Sequence, residues 1–511
     1  MVSLFSFAAG AGLAFSFVPQ RNLQPSAMST SGITLVGLGP GNPSLLTRQA
    51  WDLLRNIPEI YLRSHQHPTV VGFPPTLRVK SFDYLYQDGE SFEYVYDQIV
   101  EQILNLGERP EGVVYAVPGH PFVAEATTPQ IASRARKIGV PVRVVEGLSF
   151  LESTFAALEV DPFPHTTLID ALELAATHHP SMPPDRPAMI AQLYSPFVAS
   201  EVKLTLMAIY PENHLVKLVH GAGTTSVLLE EMPLFEIDRS PHVGLLTTLY
   251  VPSLGENTSF EAFQELVAHL RAPEGCPWDR EQTHQSLRPH LLEEAYEVLA
   301  ALDAADPNAL REELGDLLLQ IVLHAQISSE YGEFTMSDIL QTIHVKLVHR
   351  HPHVFGDLNL QDAQEVIQNW ERLKADERRA SGVTDKGLLD GVAITLPALS
   401  QAAAFQKRVA RVGFDWTHVQ GVMDKIDEEL GEVRQTSEPG ARAEEIGDLL
   451  FAVVNLARWF DVDAESALRE ANHRFRERFA YIESHARSRG RELSQLSLEE
   501  MNDLWNQAKQ R

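Results

Sequence analysis

Between about residues 32 and 252 the chain carries short apolar runs rich in β-branched residues: ITLVGL, EIYLR, GVVYAVPG, PVRVVEG, AMIAQLY, HLVKLVHG and HVGLLTTLYVP. Gly and Pro punctuation and stretches with helical spacing separate them, so strands alternating with helices, and hence an α/β domain over 32–252, are predicted. After Pro252 the β-rich runs stop. Long amphipathic stretches of Glu, Leu, Ala and Arg follow to the C-terminus and predict an all-helical half. The segment SGVTDKGLLDGVAITLP (381–397) interrupts that half and reads as a linker between helical units at 260–380 and 398–511. Residues 1–30 read as a disordered extension or a mis-assigned start. The apolar stretch Val2–Val18 lacks a positive n-region and a clean cleavage site, and the strand pattern begins just after Met28.

The helical half repeats itself. HLLEEAYEVL followed by REELGDLLLQIVLHAQ is matched later by KIDEELGEV followed by AEEIGDLLFAVVNLAR. Each copy places Glu-x-x-Glu on one helix (Glu294 and Glu297; Glu429 and Glu432) and Glu-x-x-Asp on the next (Glu313 and Asp316; Glu445 and Asp448). A spacing of three puts both carboxylates of a pair on one helical face. Asp316 opens the run Leu317–Leu319 and Asp448 opens Leu449–Val454, so the acids are expected beside core-facing stripes. Four converging carboxylates repel one another unless a divalent cation sits among them, and hard oxygen donors suit Mg²⁺.

Composition narrows the picture. With 42 Lys plus Arg against 69 Asp plus Glu the formal charge is −27, which argues against stable nucleic-acid binding. Among the 511 residues Cys276 is the single cysteine, which fits a reducing, cytoplasmic compartment, and no run is suited to spanning a bilayer. His349, His351 and His353 in HRHPHVFGD lack the cysteine partners of a zinc site.

GCPWDREQTHQSLRPHLLEEAYEVLAAL, LREELGDLLLQIVLHA and KLVHRHPHVFGD resemble the first unit of the MazG family of nucleoside triphosphate pyrophosphohydrolases. ARVGFDW, EELGEV, EEIGDLLFAVVNLARW, ANHRFRERF and MNDLWNQAK resemble the second. The resemblance implies Mg²⁺-dependent hydrolysis of nucleoside triphosphates between the α- and β-phosphates. It also implies helical bundles that form a homodimer or higher homo-oligomer. The carboxylates of both copies are then metal ligands, with Glu429, Glu432, Glu445 and Asp448 also catalytic. Arg474 and Arg478, four apart on one helical face, are candidate phosphate clamps, and Trp505 is a candidate stacking partner for a base. Asn455 lies on the face of Glu445, Asp448 and Ala452, where it would meet a sugar hydroxyl or a water. The earlier copy has Leu323 there, so the later copy is expected to carry the activity.

In the first domain ITLVGLGPGNP brings a strand into a turn with Gly37, Gly39 and Gly41, which permits close approach of a ligand to backbone. Asn42 and Pro43 stand where a dinucleotide fingerprint has its third glycine, which weakens a Rossmann reading. GLGPGNPSLLTRQAWDLL and VPGHPFVAEATTPQIASRARKIGVPVRVVEGLSFLES resemble the tetrapyrrole methylases, which bind S-adenosylmethionine in a cleft between two subdomains. By that resemblance the GLGPG turn and Gly119, His120 and Pro121 line the cofactor cleft. The expected whole is a multidomain chain, an α/β methylase-like domain followed by two all-α MazG-like bundle units. Its expected principal activity is nucleotide-pool pyrophosphohydrolysis. The alternatives are methyl transfer as the main activity, or a nucleotide-sensing and oligomerisation module.

Overall fold

The computed structural model describes residues 32–88, 91–360, 362–380, 387–436 and 438–510. The expected extension 1–30 and the first part of the expected linker, 381–386, lie outside the described residues. The chain divides into two units between Leu266 and Val267.

In the first unit the leading apolar runs become β1 (Ile33–Gly37), β2 (Glu59–Leu62), β3 (Arg78–Ser81), β4 (Val113–Val117) and β5 (Val142–Val145). They form a parallel sheet of order β3-β2-β4-β1-β5. The intervening segments form α1 (Arg48–Asn56), α2 (Asp83–Asp88), α3 (Phe92–Gly107) and α4 (Thr127–Ile138). A strand turns alternate side chains to opposite faces, so one sheet makes two cores. Ile33, Leu35, Tyr115 and Val117 pack with Ile99 and Ile103 of α3 and Ile131 of α4. Val36, Ala116, Ile60 and Leu62 pack with Leu53 and Leu54 of α1.

The chain leaves this sheet through α5 (Phe150–Leu158) and builds a second from β6 (Thr167–Asp170), β7 (Ala188–Ala191), β8 (Leu215–His220), β9 (Leu228–Pro233) and β10 (Thr247–Val251). Its order is β6-β7-β10-β8-β9, with β6 and β7 parallel and the remaining pairs antiparallel. Helices α6 (Ala171–Ala175) and α7 (Pro196–Leu206) cover it, and Leu174, Val198, Val202 and Leu206 join Ile190, Leu218 and Leu249 in its core.

From there the chain is helical: α8 (Phe260–Arg271), α9 (Pro277–Glu281), α10 (His284–Asp303), α11 (Pro307–Glu330), α12 (Met336–Arg350), α13 (Pro352–Phe355) and α14 (Ala363–Ala380). Then come α15 (Ala398–Ala410), α16 (Val419–Gln435), α17 (Pro439–Trp459), α18 (Ala464–Ser488) and α19 (Leu498–Ala508). Side-chain caps set the starts. Thr283 with Ser286, Thr335 with Asp338 and Ser497 with Glu500 form reciprocal capping boxes, while Asp306 and Asp463 cap α11 and α18. Short connections make α10 and α11, and likewise α16 and α17, antiparallel hairpins, so the sequence repeat is also a structural one. Arg271 holds Glu330 through two nitrogens at 2.8 and 2.7 Å, and Gln406 Nε2 donates to Phe451 O at 2.8 Å, tying α8 to α11 and α15 to α17. No helix among the described residues is long and apolar enough to cross a membrane.

One expectation is corrected here. The runs opened by Asp316 and Asp448 are not core-facing along their length. Both aspartates are exposed, Leu318, Leu450, Phe451 and Val453 reach solvent, and within these runs only Ala452 and Val454 are buried. The reason is helical geometry. A helix with apolar residues over more than one face buries only the face its own hairpin covers. The carboxylate that is buried is Glu429, on the partner helix of the second hairpin.

Candidate active site and cofactor cleft

Each hairpin brings its acids together from two helices. Glu294 of α10 meets Glu313 and Asp316 of α11, and Glu429 of α16 meets Glu445 and Asp448 of α17. In each set one carboxylate oxygen per residue lies within 4.8 Å of the others. Glu297 and Glu432, one turn further along their helices, adjoin the same clusters through Glu294 and Glu445. The electrostatics record the crowding. Partial removal from water, followed by Asp316 and Glu297, raises the Glu294 carboxyl above its ordinary value. Glu313 is raised by the same effect and by Glu297, Glu312 and Asp316, and Glu432 by the same effect and by Glu445 and Glu429.

The two clusters differ in their counter-charge. Lys425, one turn before Glu429, places Nζ 2.8 Å from Glu429 Oε1 and 2.9 Å from Glu428 Oε1, and its ammonium is held well above the usual lysine value by those bonds. The corresponding residue of the first hairpin is His290, which lies 3.7 Å from Glu293 at the surface. The other oxygen of Glu429, Oε2, is buried and has no hydrogen-bond partner. A buried, partnerless carboxylate oxygen within a set of hard donors is what a divalent cation satisfies, so the residues fit such an ion.

The remaining residues singled out from the sequence sit on α17, α18 and α19. Asn455 accepts at Oδ1 from Arg458 Nε and Nη2 at 3.0 and 2.7 Å, and Arg458 in turn reaches Asp415 at 2.6 Å. Its carbonyl is therefore engaged within the protein, which leaves the amide N–H₂ for a ligand. Arg474 pairs with Glu470 at 3.1 Å on α18. Arg478 lies over the Trp505 ring, 5.5 Å from its centroid, and Trp505 also meets Phe475 at 5.1 Å, so this indole joins α19 to α18. In the HRHPH segment His349 and Arg350 both bond Glu377 and His351 bonds Leu347 O, whereas His353 Nδ1 is buried without a hydrogen-bond partner.

In the first unit the turns after β1 and β4 meet at the carboxyl ends of the parallel strands, where ligands bind in open α/β sheets. Gly39 and Gly119 exchange backbone hydrogen bonds of 3.2 and 2.8 Å, both at positive φ (+72° and +68°). Gly37 and Gly147 abut them: a Cβ on Gly147 would lie 2.5 Å from Gly119 O and one on Gly37 would lie 2.6 Å from the same atom. Gly41 follows in the turn, and Asn42 N donates to Gly223 O at 2.8 Å, which brings the loop after β8 against the GLGPG turn. Asn42 also caps the next turn through Ser44 N, so its departure from the glycine pattern has a local role. His120 Nδ1 accepts from Phe122 N at 3.1 Å, and Pro121 O accepts the Thr128 hydroxyl, which closes the β4 loop onto α4. Sequence reasoning missed Gly147 and Gly223. The glycine two residues beyond the end of β5, in VRVVEG, was a usable signal for the first of these.

Comparison with known proteins agrees with both halves. A family model described as tetrapyrrole (corrin/porphyrin) methylases matches residues 32–238, and one described as the MazG nucleotide pyrophosphohydrolase domain matches 282–355. The Thermotoga maritima nucleoside triphosphate pyrophosphohydrolase/pyrophosphatase MazG is 44% identical over 250 residues, covering 49% of this chain and 95% of that protein. This chain belongs to the MazG family. It carries a tetrapyrrole methylase domain ahead of its MazG part. The Escherichia coli K12 nucleoside triphosphate pyrophosphohydrolase is 46% identical over 250 residues, 48% of this chain and 94% of its own length. An uncharacterized Bacillus subtilis protein, YabN, is 43% identical over 493 residues, covering 94% of this chain and 98% of its own, so likeness to it runs through the methylase and MazG parts together.

Proposed function

We propose that this protein is a Mg²⁺-dependent nucleoside triphosphate pyrophosphohydrolase that adds water across the α–β phosphoanhydride to give the monophosphate and diphosphate. Its proposed role is nucleotide-pool housecleaning in the cytoplasm. The reading rests above all on the Glu429–Glu445–Asp448 set with its buried, partnerless Glu429 Oε2. The names of the Thermotoga maritima and Escherichia coli relatives support it.

Glu429, Glu445 and Asp448 hold the cation in this reading, and Glu294, Glu313 and Asp316 hold another in the first hairpin. Bound there, Mg²⁺ supplies charge neutralisation for the triphosphate and polarises the reacting centre. Glu432, raised by partial removal from water and by Glu445 and Glu429, is the carboxylate suited to take a proton from the attacking water. Arg474 and Arg478 supply positive charge for the outer phosphates and the Asn455 amide donates to the sugar. Trp505, with one face under Arg478, offers its remaining surface to a base.

The meeting of Gly39, Gly119 and Gly147 supports a second reading for the first domain, a cleft that takes S-adenosylmethionine against bare backbone. Homo-oligomerisation through the helical units fits the exposed Leu450 and Phe451.

A nucleoside triphosphate panel assayed for diphosphate release with Mg²⁺ and with chelator tests the principal reading, and methyl incorporation from labelled S-adenosylmethionine tests the second. Diphosphate release that persists after exhaustive metal removal would sink the first. Binding of nucleotides without turnover would leave a sensing module in its place.

A further inference from the structure

His284, the first residue of α10, lies against α11 through its ring. Its Nδ1 is 2.7 Å from Nδ1 of His324, and the two imidazoles stack with planes 9° apart and centroids 5.0 Å apart. Its Nε2 is 3.2 Å from the hydroxyl of Ser328, one turn beyond His324 on α11 and fully buried. The remaining ring nitrogen, His324 Nε2, is buried and has no hydrogen-bond partner.

These contacts fix the protons. Two Nδ1 atoms at hydrogen-bond distance share one proton, so one ring donates and the other accepts. If His284 donated, His324 would carry its proton on the buried, partnerless Nε2. If His324 donates, the orphan is a bare acceptor, and His284 gives its Nε2–H to Ser328. An unmet buried donor is rarer than an unmet acceptor, so His324 Nδ1–H donates to His284 Nδ1. A further proton then has two places to go. On His324 Nε2 it puts a charge and an unmet donor in a buried place. On His284 Nδ1 it sets two N–H groups against each other and breaks the contact.

Among the described residues no charged side chain bonds either ring. Arg271 of α8 is engaged by Glu330 of α11 and by Asp279 O and Gln282 O, and Arg280 of α9 by Pro273 O. Asp338 of α12 caps Thr335, and Arg469 of α18 pairs with Asp303 at the far end of α10. His269, Cys276, Asp279, Glu281 and Arg288 bond neither imidazole. Burial, with the charge of His284 added, holds the His324 imidazole below its ordinary value. Its contribution to stability is therefore full above the unfolded value of about 6.5 and is lost as pH falls through the folded one.

We infer that His284 and His324 form a proton-operated clasp between the first turn of α10 and α11, closed while both rings are neutral and released on acidification. Because α10 carries Glu294 and α11 carries Glu313 and Asp316, the clasp fastens the hairpin that assembles the first carboxylate cluster. It acts whether or not that cluster takes a cation, so it stands apart from the proposed hydrolysis.

The test uses the full chain in metal-free buffer. Amide exchange, read by mass spectrometry in peptides from the start of α10 and the end of α11, is compared at about pH 7.5 and about pH 5 after correction for intrinsic rates. Opening of this end of the hairpin is expected to rise about tenfold or more at the lower pH, the scale of one unit of pKa shift. H284N/H324N, whose amides reach the Nδ1 positions and bond without taking a proton, is expected to lose that dependence. The carboxylates titrate alike in both proteins, so the difference belongs to the imidazoles. Histidines labelled at ¹³Cε1, with H324N assigning the signal, are expected to show His324 titrating below its ordinary value and rising toward it in H284N. Opening that is the same at both pH values in the natural chain, an equal rise in H284N/H324N, or a His324 midpoint at or above the ordinary value would overturn the clasp. If the double variant does not fold, the natural chain's exchange and its His324 midpoint decide alone.

Discussion

Lys425 Nζ lies 2.8 Å from Glu429 Oε1, so the most deeply buried acid of the two carboxylate clusters has an ammonium on one oxygen and nothing on the other. The first hairpin has His290 at the matching position and no such bond. The lysine thus stabilises the second cluster before any cation arrives and competes with one afterwards. Lys425→Met is expected to lower metal-free stability by about 1–2 kcal/mol, between the ranges for exposed and buried pairs, and to enlarge the thermal gain on adding Mg²⁺. Thermal melts with and without Mg²⁺ check this, and an unchanged Mg²⁺ gain would contradict it.

The asymmetry extends to activity. Glu445→Ala is expected to lower diphosphate release about a hundredfold or more, the scale of losing one electrostatic contact to a transition state. Glu313→Ala is expected to keep most of the activity and to act on stability or assembly. Parallel kinetics on the two folded variants decide it, and comparable losses would show two working sites.

Protons and metal compete for the same oxygens. Glu294, Glu313 and Glu432 have carboxyls raised by partial removal from water and by neighbouring acids, so in the metal-free fold they keep protons to higher pH than in the unfolded chain. Their contribution to stability is full below the unfolded value and is lost as pH rises through the folded one. The Mg²⁺-induced rise in melting temperature is therefore expected to be large at neutral pH and to shrink as pH falls through the carboxylate range. A gain independent of pH would place the metal elsewhere.

Gly147→Ala is expected to abolish S-adenosylhomocysteine binding while leaving hydrolysis intact, because the new Cβ would stand 2.5 Å from Gly119 O and push the glycine turns apart. Calorimetry on the full-length variant, with the hydrolysis assay as a control for folding, makes the comparison.

Leu450 is 53% and Phe451 45% exposed on one stretch of α17. A second copy that covers them would explain an apolar pair at the surface. Light scattering is expected to show an oligomer for the natural chain and a smaller species for Leu450→Glu/Phe451→Glu. Equal masses would move the interface elsewhere.

Much of this molecule was legible in its sequence. The change from β-rich runs to Glu- and Leu-rich periodicity separates an α/β part from a helical one, because strand and helix impose different spacings on the residues that must be buried. Within the helical part the Glu-x-x-Glu and Glu-x-x-Asp pairs fall three apart, and that spacing alone aligns each pair on a helix face. The glycines of GLGPG announced a place where backbone comes close to something else. Tertiary structure decided what spacing cannot carry. Only the antiparallel pairing of α16 with α17 buries Glu429 and brings it to Glu445 and Asp448, while leaving Asp448 and half of the following apolar run in solvent. Gly147 meets Gly119 across 28 positions of chain, because β4 and β5 end on either side of β1, and Arg63 meets Glu125 across 62, because β2 and β4 are neighbours. Local periodicity reports which way a side chain points from its own element. Which partner it finds there depends on contacts between segments distant in sequence, and these form only when the sheets and hairpins assemble.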